Sequence, residues 1–296
     1  MKKNELDIGA FFQNAIDELD RSFLHYRGTC ESYILQRNAH LVTTPEECLI
    51  PAIEIQKILF AELAQEDVLP LAAMKIIPQA VALGNWRFTK SIYTFDHALY
   101  QELLRQPLKS IPGQLLRRLP EPCLFIRTPD NPLTGLGFFA CFDAKDSGDL
   151  FLTLSFQTQP LSTVSLPLCD STSKAVVKVI LGKYGQKLND ATLNHFLAKL
   201  NGALQLLLYL CSENVVYDGD MPVTPQSIQE PSQVRYFRVG APDPRENSRA
   251  NRSVKFHLRR GHFHTYWVGS GDEKKPILKW LEDAFIHPER TKKQGQ

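Results

Sequence analysis

Apolar side chains at Phe11, Phe12, Ala15, Ile16, Leu19, Phe23 and Tyr26 recur at steps of three and four near the start of the chain. That is the period of a helix turning one face to a core. Thr44-Pro45-Glu46-Glu47 then reads as a helix start, with Thr44 as cap, Pro45 at the first helical position and Glu47 closing a capping box. The pattern predicts a helix from there to about Ala64, another over Leu69 to Leu83 with Gly84 as its stop, and a third over His97 to Arg105 behind an Asp96 cap.

Prolines at 107, 112, 120, 122, 129 and 132 break the helical period, and the stretches among and after them change to short aromatic and β-branched runs. Cys123 to Arg127, Leu136 to Phe142 and Leu150 to Gln157 are expected as strands. Helices return at Ser171 to Leu181 and Asp190 to Cys211. Ser212 to Asn251 is polar, Pro-rich and without period, which predicts a long loop. Ser253 to Arg259, His262 to Val268 and Pro276 to Trp280 follow as expected strands.

The expected fold class is therefore α+β: a helical N-terminal part, a mostly antiparallel sheet in the middle, two further helices and C-terminal strands. The expected regions are a helical part at 1–119, strands and two helices packing on it at 120–211, a connector at 212–252 and a basic, β-rich motif region at 253–296, together forming one compact unit.

Composition narrows the class. At 43% hydrophobic and 22% charged, the 296 residues suit a globular chain that can bury a sizeable core without staples. The longest apolar run, near Leu200 to Cys211, is interrupted by Asn201 and Gln205 and is too short for a membrane span. Glu5 and Asp7 soon after Lys2 and Lys3 leave no apolar secretory segment, so a cytoplasmic protein with no membrane partner is expected. The six cysteines at 30, 48, 123, 141, 169 and 211 form no CxxC and are expected as buried free thiols.

Charge is uneven. From Arg235 to the end there are 14 Lys and Arg against 7 Asp and Glu, while the preceding 234 residues carry 20 against 25. A local basic excess of this kind attracts phosphate backbones or acidic peptide, and it is also what a solvated loop carries.

No phosphate-binding GxxxxGK[ST] loop, dinucleotide GxGxxG turn, GxSxG elbow or HExxH helix is present. The segment richest in reactive side chains is His257-Leu258-Arg259-Arg260-Gly261-His262-Phe263-His264-Thr265-Tyr266-Trp267-Val268-Gly269-Ser270-Gly271. On a strand, His262, His264 and Tyr266 share one face and Phe263, Thr265 and Trp267 the other. His262 and His264 are the candidate metal ligands, but a site needs a third group, for which His257 or Asp272 would have to serve. The favoured readings are a hydrogen-bonded pair, or a contact for a macromolecule in which Arg259 and Arg260 grip phosphate or carboxylate and Tyr266 and Trp267 supply aromatic surface, so no metal is expected. No cofactor is called for. An enzyme is the less favoured reading, a small ribonuclease in which His262 and His264 hold a metal or act as general acid and base.

The string HLRRGHFHTYWVGSG resembles the signature HxRRGHxHxYWxGxG of a type V-A anti-CRISPR protein family, AcrVA two. Two upstream blocks resemble the same family in the same order. Gly84-Asn85-Trp86-Arg87-Phe88-Thr89 with Ile92, Tyr93 and Asp96 is similar to its GxWRxT…IYxxD segment, and Leu210-Cys211 with Tyr217, Gly219, Pro222 and Val223 to its LC…YxG…PV segment. The first 60 residues carry no matching block.

The resemblance implies an inhibitor, carried by mobile genetic elements, that lowers production of the type V-A CRISPR effector nuclease in the bacterial cytoplasm. It implies recognition of the effector during translation, through the nascent chain, its mRNA or the translating ribosome, followed by loss of the mRNA. His257, Arg259, Arg260, His262, His264, Tyr266 and Trp267 are the expected partner-binding residues. Gly84, Trp86, Arg87, Tyr93, Asp96, Tyr217, Gly219, Gly261 and Gly269 are the expected structural residues of the motifs, with Arg87 paired to an acid such as Asp96. Plain RNA binding, without catalysis, is the remaining alternative.

Overall fold

The computed structural model describes residues 7–42, 45–65, 70–107, 110–131, 135–144, 149–156, 162–179, 190–218, 228–240, 257–259, 261–270, 274–281 and 284–286. Four helices come first: α1 (Ile8–Ser22), α2 (Tyr26–Asn38), α3 (Ala52–Gln65) and α4 (Pro70–Trp86). Asp7 caps α1 by accepting from the Ala10 N–H at 3.1 Å. The apolar stripe that begins here does not continue as one helix, because Phe23 adopts an extended conformation and α2 starts afresh at Tyr26. The stripe survives the break: Ile8, Phe12, Ile16, Phe23, Tyr26, Cys30 and Ile34 are all buried.

Helix α3 begins at Ala52 instead of near Pro45, and Thr44 lies outside the described residues. The reason is Pro51, which inside a helix would remove a backbone donor and clash with the preceding turn. Residues 45–48 form a turn closed by Cys48 N–H on Pro45 O at 3.0 Å. The α3 start is held from elsewhere: Ala52 N–H donates to Asp143 Oδ1 at 2.9 Å, and the Asn85 side chain bonds both the N–H and the carbonyl of Ile50.

Helix α4 does not stop at Gly84. It runs to Trp86, and a Cβ on Gly84 would stand 2.8 Å from Tyr26 Oη and 2.9 Å from Ile55 Cδ1, so the glycine lets three helices approach closely. The turn that ends the helix comes at Lys90, in the left-handed region at φ 47°.

Next come β1 (Ser91–Phe95), α5 (His97–Leu104), a 3₁₀ turn (Gly113–Arg118), β2 (Cys123–Asn131), β3 (Gly135–Ala144), β4 (Leu150–Phe156) and β5 (Ser162–Pro167). Helices α6 (Thr172–Val179) and α7 (Asp190–Leu210) and strands β6 (Tyr217–Asp218) and β7 (Arg235–Val239) complete the central body. Asp96 caps α5 through the Ala98 and Leu99 N–H groups.

The seven strands form one sheet in the order β5-β4-β3-β2-β1-β7-β6. Neighbours pair antiparallel except at β1, which is parallel to both β2 and β7. Strand β7 lies in the stretch that the sequence reads as connector loop, and its Phe237 and Val239 alternate inward.

The fold is α+β, with one core on each face of the sheet. On one face, Phe125, Phe139, Ile92 and Cys141 pack under α1 to α4. On the other, Leu124, Ile126, Phe138, Leu152, Leu154 and Val164 pack under α5, α6 and α7. All six cysteines are free; five are buried and Cys169 is exposed, unlike the expectation for that residue. Burial pushes the Cys30 and Cys48 thiols up to about 12. Among the described residues no helix is long and apolar enough to cross a membrane.

The C-terminal residues form two small antiparallel pairs, β9 (His262–Val268) with β10 (Lys275–Leu281) and β8 (His257–Arg259) with β11 (Ala284–Ile286). The last of these strands has no counterpart in the sequence reading.

Candidate functional site

The β9–β10 hairpin has one face that docks and one that does not. In register, Phe263 faces Trp280 and Thr265 faces Leu278, and the side chains of Phe263, Leu278 and Trp280 are buried. The Trp280 ring meets Phe263 edge-on at 4.9 Å and Tyr209 of α7 at 6.1 Å, and Tyr209 meets Phe95 of β1 at 6.0 Å. An aromatic chain thus ties the hairpin through α7 to the central sheet.

Polar clamps fix its position. Asn214 donates to Trp280 O at 2.6 Å and accepts from Trp280 N–H at 2.9 Å. Gln106 donates to Gly261 O at 2.8 Å, and Glu213 N–H donates to Leu278 O at 3.0 Å. Gly261 is needed for space: a Cβ there would stand 2.6 Å from Trp280 Cζ2. Its role is close approach to the indole, whereas Gly269, with φ 106°, takes a left-handed conformation just beyond β9.

The outward face carries His262, His264 and Tyr266 on β9, opposite Leu281, Lys279 and Ile277 on β10. The His264 and Tyr266 rings lie 4.3 Å apart at 40°, and Lys279 Nζ sits 5.8 Å from the Tyr266 ring centre. Tyr266 is 40% exposed and Trp267 59% exposed. The structure thus gathers His262, His264, Tyr266 and Trp267 on one hairpin. His257 and Arg259 lie on β8, paired by backbone register with Ile286 and Ala284, and Arg260 and Gly219 fall outside the described residues. Among the described residues no group of three or more His, Cys, Asp or Glu comes together as a metal site.

The two upstream blocks meet each other at the other end of α4 and β1. Trp86 is fully buried, meets Phe12 and Phe139 edge-on, and donates to Ser91 O at 2.9 Å. Tyr93 stacks on Phe237 of β7 at 4.7 Å and 19°, with Tyr217 edge-on at 6.1 Å, so residues from separate blocks share one cluster.

Arg87 does not pair with Asp96, which is engaged as the α5 cap. It is buried against Asp20 of α1, with Glu230 3.6 Å away, and Lys90 reaches the same Glu230 at 3.0 Å. Arg235 of β7 closes the neighbouring corner, donating to Thr89 O at 2.8 Å, Ser91 Oγ at 2.9 Å and Glu121 Oε1 at 2.5 Å. Burial pushes the Glu121 carboxyl up to about 7 in spite of the Ser91 and Arg235 contacts that oppose it.

Asp20, Glu121, Glu230, Asn214 and Gln106 are not singled out by the sequence, since nothing local marks a partner so far along the chain. Lys275 and Lys279 have a signal: they alternate with the apolar Pro276, Leu278 and Trp280, which places them on the face of His264 and Tyr266.

A separate open groove of about 1230 Å³ lies over the β4–β5 end of the sheet, lined by Phe151, Thr163, Ser165, Pro112, Arg117 and Cys169 among others. Its described lining includes no histidine, so it brings no imidazole base to the Cys169 thiol.

A family model described as AcrVA2-like, "Anti-CRISPR type V subtype A2 family", matches residues 93–288. That span takes in the Tyr217 block and the whole C-terminal signature, and begins just after the Gly84 to Thr89 block. The structure is similar to a solved one described as "Crystal structure of AcrVA2", with a TM-score of 0.62, 21% identity, and coverage of 93% of this chain and 98% of that one. The shared fold therefore reaches the N-terminal helices that carry no signature block. A search of curated proteins finds no match.

Proposed function

Since this chain belongs to the AcrVA2-like family of type V subtype A2 anti-CRISPR proteins, we propose that it lowers the level of a type V-A CRISPR effector nuclease in the cytoplasm of a bacterial host. It recognises the effector as it is being translated and triggers loss of the effector mRNA. The working surface is the C-terminal signature, with His257, Arg259, Arg260, His262, His264, Tyr266 and Trp267 meeting the translating complex.

The observation that supports this is the two-sided β9–β10 hairpin. One face is anchored by Trp280, Asn214 and Gln106, and the other leaves His264 and Tyr266 uncovered beside Lys279. An aromatic and basic face held on a rigid mount is suited to gripping a partner. The upstream blocks serve as scaffold: Trp86, Arg87 and Tyr93 lock the α4–β1 corner on which β7 is paired.

Co-expression with a type V-A effector tests the proposal, reading effector mRNA and protein together. Both fall when the protein is present, and Arg259→Ala combined with Arg260→Ala restores them. Effector levels that stay unchanged with the unaltered protein would refute it. Purified protein incubated with effector mRNA, with and without chelator, leaves the message intact; cleavage would move the chemistry onto this chain.

A further inference from the structure

We propose that the outward face of the β9–β10 hairpin is a binding surface for single-stranded RNA, with Tyr266 as its base-stacking ring, Lys275 and Lys279 as phosphate contacts, and the exposed Trp267, on the other face of β9, as a second ring at the strand's edge. This rests on the reading of the hairpin as the working surface and names what that surface touches.

The face has the two components that sequence-tolerant binding of unpaired nucleic acid needs, an exposed ring and cations spaced along a strand. Lys275 and Lys279 are four residues apart on one strand and share a face, so their Cα atoms are roughly 13 Å apart. The Tyr266–Ile277 pair lies between them. A base laid on the Tyr266 ring is thereby flanked by ammonium groups on both sides. His264, tilted against the same ring, braces it and adds a hydrogen-bonding edge.

Along the two strands the charge is of one sign. Lys274, Lys275 and Lys279 are exposed and make no ion pair among the described residues, and neither β9 nor β10 carries a carboxylate, the acids Asp272, Glu273, Glu282 and Asp283 of this segment lying outside the described residues. The outward face also carries Ile277, Leu281 and Val268, but its charged groups beside the Tyr266 ring are cations, which favours an anionic strand as the partner. Trp267 projects from the other face of β9, opposite Pro276, and is exposed beyond the point where Phe263, Leu278 and Trp280 are buried, so a strand that rounds the edge of β9 meets it as a second ring. A duplex hides its base faces from such a surface, so the strand must be unpaired.

The three tryptophans give the test a direct readout, because Trp86 and Trp280 are buried and Trp267 is exposed. The full chain is titrated with a 5′-labelled oligouridylate, following anisotropy of the label and tryptophan emission together. The RNA binds saturably and quenches the emission, and Trp267→Phe removes the quenching while leaving the fold unchanged. Tyr266→Ala weakens binding roughly tenfold or more. Lys279→Ala weakens it and makes the log–log salt slope shallower by about 0.7, the value for one phosphate contact on a single strand, and Lys279→Arg restores the slope.

Three outcomes would overturn the inference: no saturable binding up to about 100 µM, the weak end of non-specific nucleic-acid affinity; a matched RNA duplex or DNA strand bound more tightly than the RNA; or an acidic peptide bound at the hairpin in its place. The failures are separable. Persistent effector mRNA in cells counts against the silencing role while leaving the titration intact, and a failed titration leaves silencing to a protein contact.

Discussion

The backbone of Gly261 lies against the indole of Trp280, so closely that a Cβ at the glycine would stand 2.6 Å from Cζ2 and 3.2 Å from Cη2 of the ring. The first residue before β9 and the anchoring residue of β10 are in this way fitted to each other, and the seating of the whole hairpin depends on that fit. The Gly261 carbonyl is also the acceptor for Gln106, so movement of the glycine strains the clamp to α5 as well.

Gly261→Ala is accordingly expected to overpack this contact and cost about 1 to 3 kcal/mol. The ring of Trp280 is buried and cannot swing aside freely. Limited proteolysis should cut the variant within the hairpin before the central sheet, and thermal denaturation should show the loss. A variant as resistant and as stable as the parent would show that the glycine serves some other need.

Trp86→Ala is expected to cost about 3 to 5 kcal/mol, since it empties a fully buried site between Phe12 and Phe139 and leaves Ser91 O without its indole donor. Chemical denaturation measures this directly. A change within about 0.5 kcal/mol, typical of surface positions, would contradict the packing role.

Glu121 gives a pH signature. Its carboxyl titrates near 7 in the folded chain and near 4.5 when unfolded, so between those values the folded state binds the extra proton. Stability from this group is therefore greatest below about 4.5 and falls as pH rises through 7, by about 3 kcal/mol at most. Glu121→Gln removes the slope. Comparing both proteins by urea denaturation at several pH values, the variant should gain on the parent as pH rises; a constant difference would contradict the assignment.

Arg87 sits beside two acids, Asp20 and Glu230, in a buried corner. Arg87→Met leaves Asp20 without its guanidinium and should cost about 3 to 5 kcal/mol. Asp20→Asn in the same chain should recover part of that loss, measured as a double-mutant cycle. Full additivity would mean that the pair is not coupled.

What the sequence makes legible follows from how local each signal is. Strand β9 is readable because its alternation is complete within seven residues and glycines stand at both ends. The Asp96 cap is readable for the same reason. The start of α3 misleads because Thr44 to Glu47 forms a sound local signature, while Pro51, four residues past Glu47, overrules it. Strands β1 and β7 escape notice because each has five residues and they pair in parallel across a long separation, with no hairpin turn to announce them. Arg235 and Glu121 are 114 residues apart, and no period or spacing links them; the sheet topology brings them together. Gly84 and Gly261 look like turn residues in the sequence, and only the packed neighbours reveal that both are close approaches.

The central claim, loss of effector mRNA coupled to its translation, is tested most directly by following the effector mRNA in cells that produce this protein. One culture carries the effector gene intact and another carries it with the start codon removed. The account predicts that the translated message falls, that the untranslated one persists, and that Tyr266→Ala combined with Trp267→Ala and Lys279→Ala restores the first to the level of the second. A translated message that persists beside the unaltered protein, or an untranslated one lost to the same extent, would contradict it.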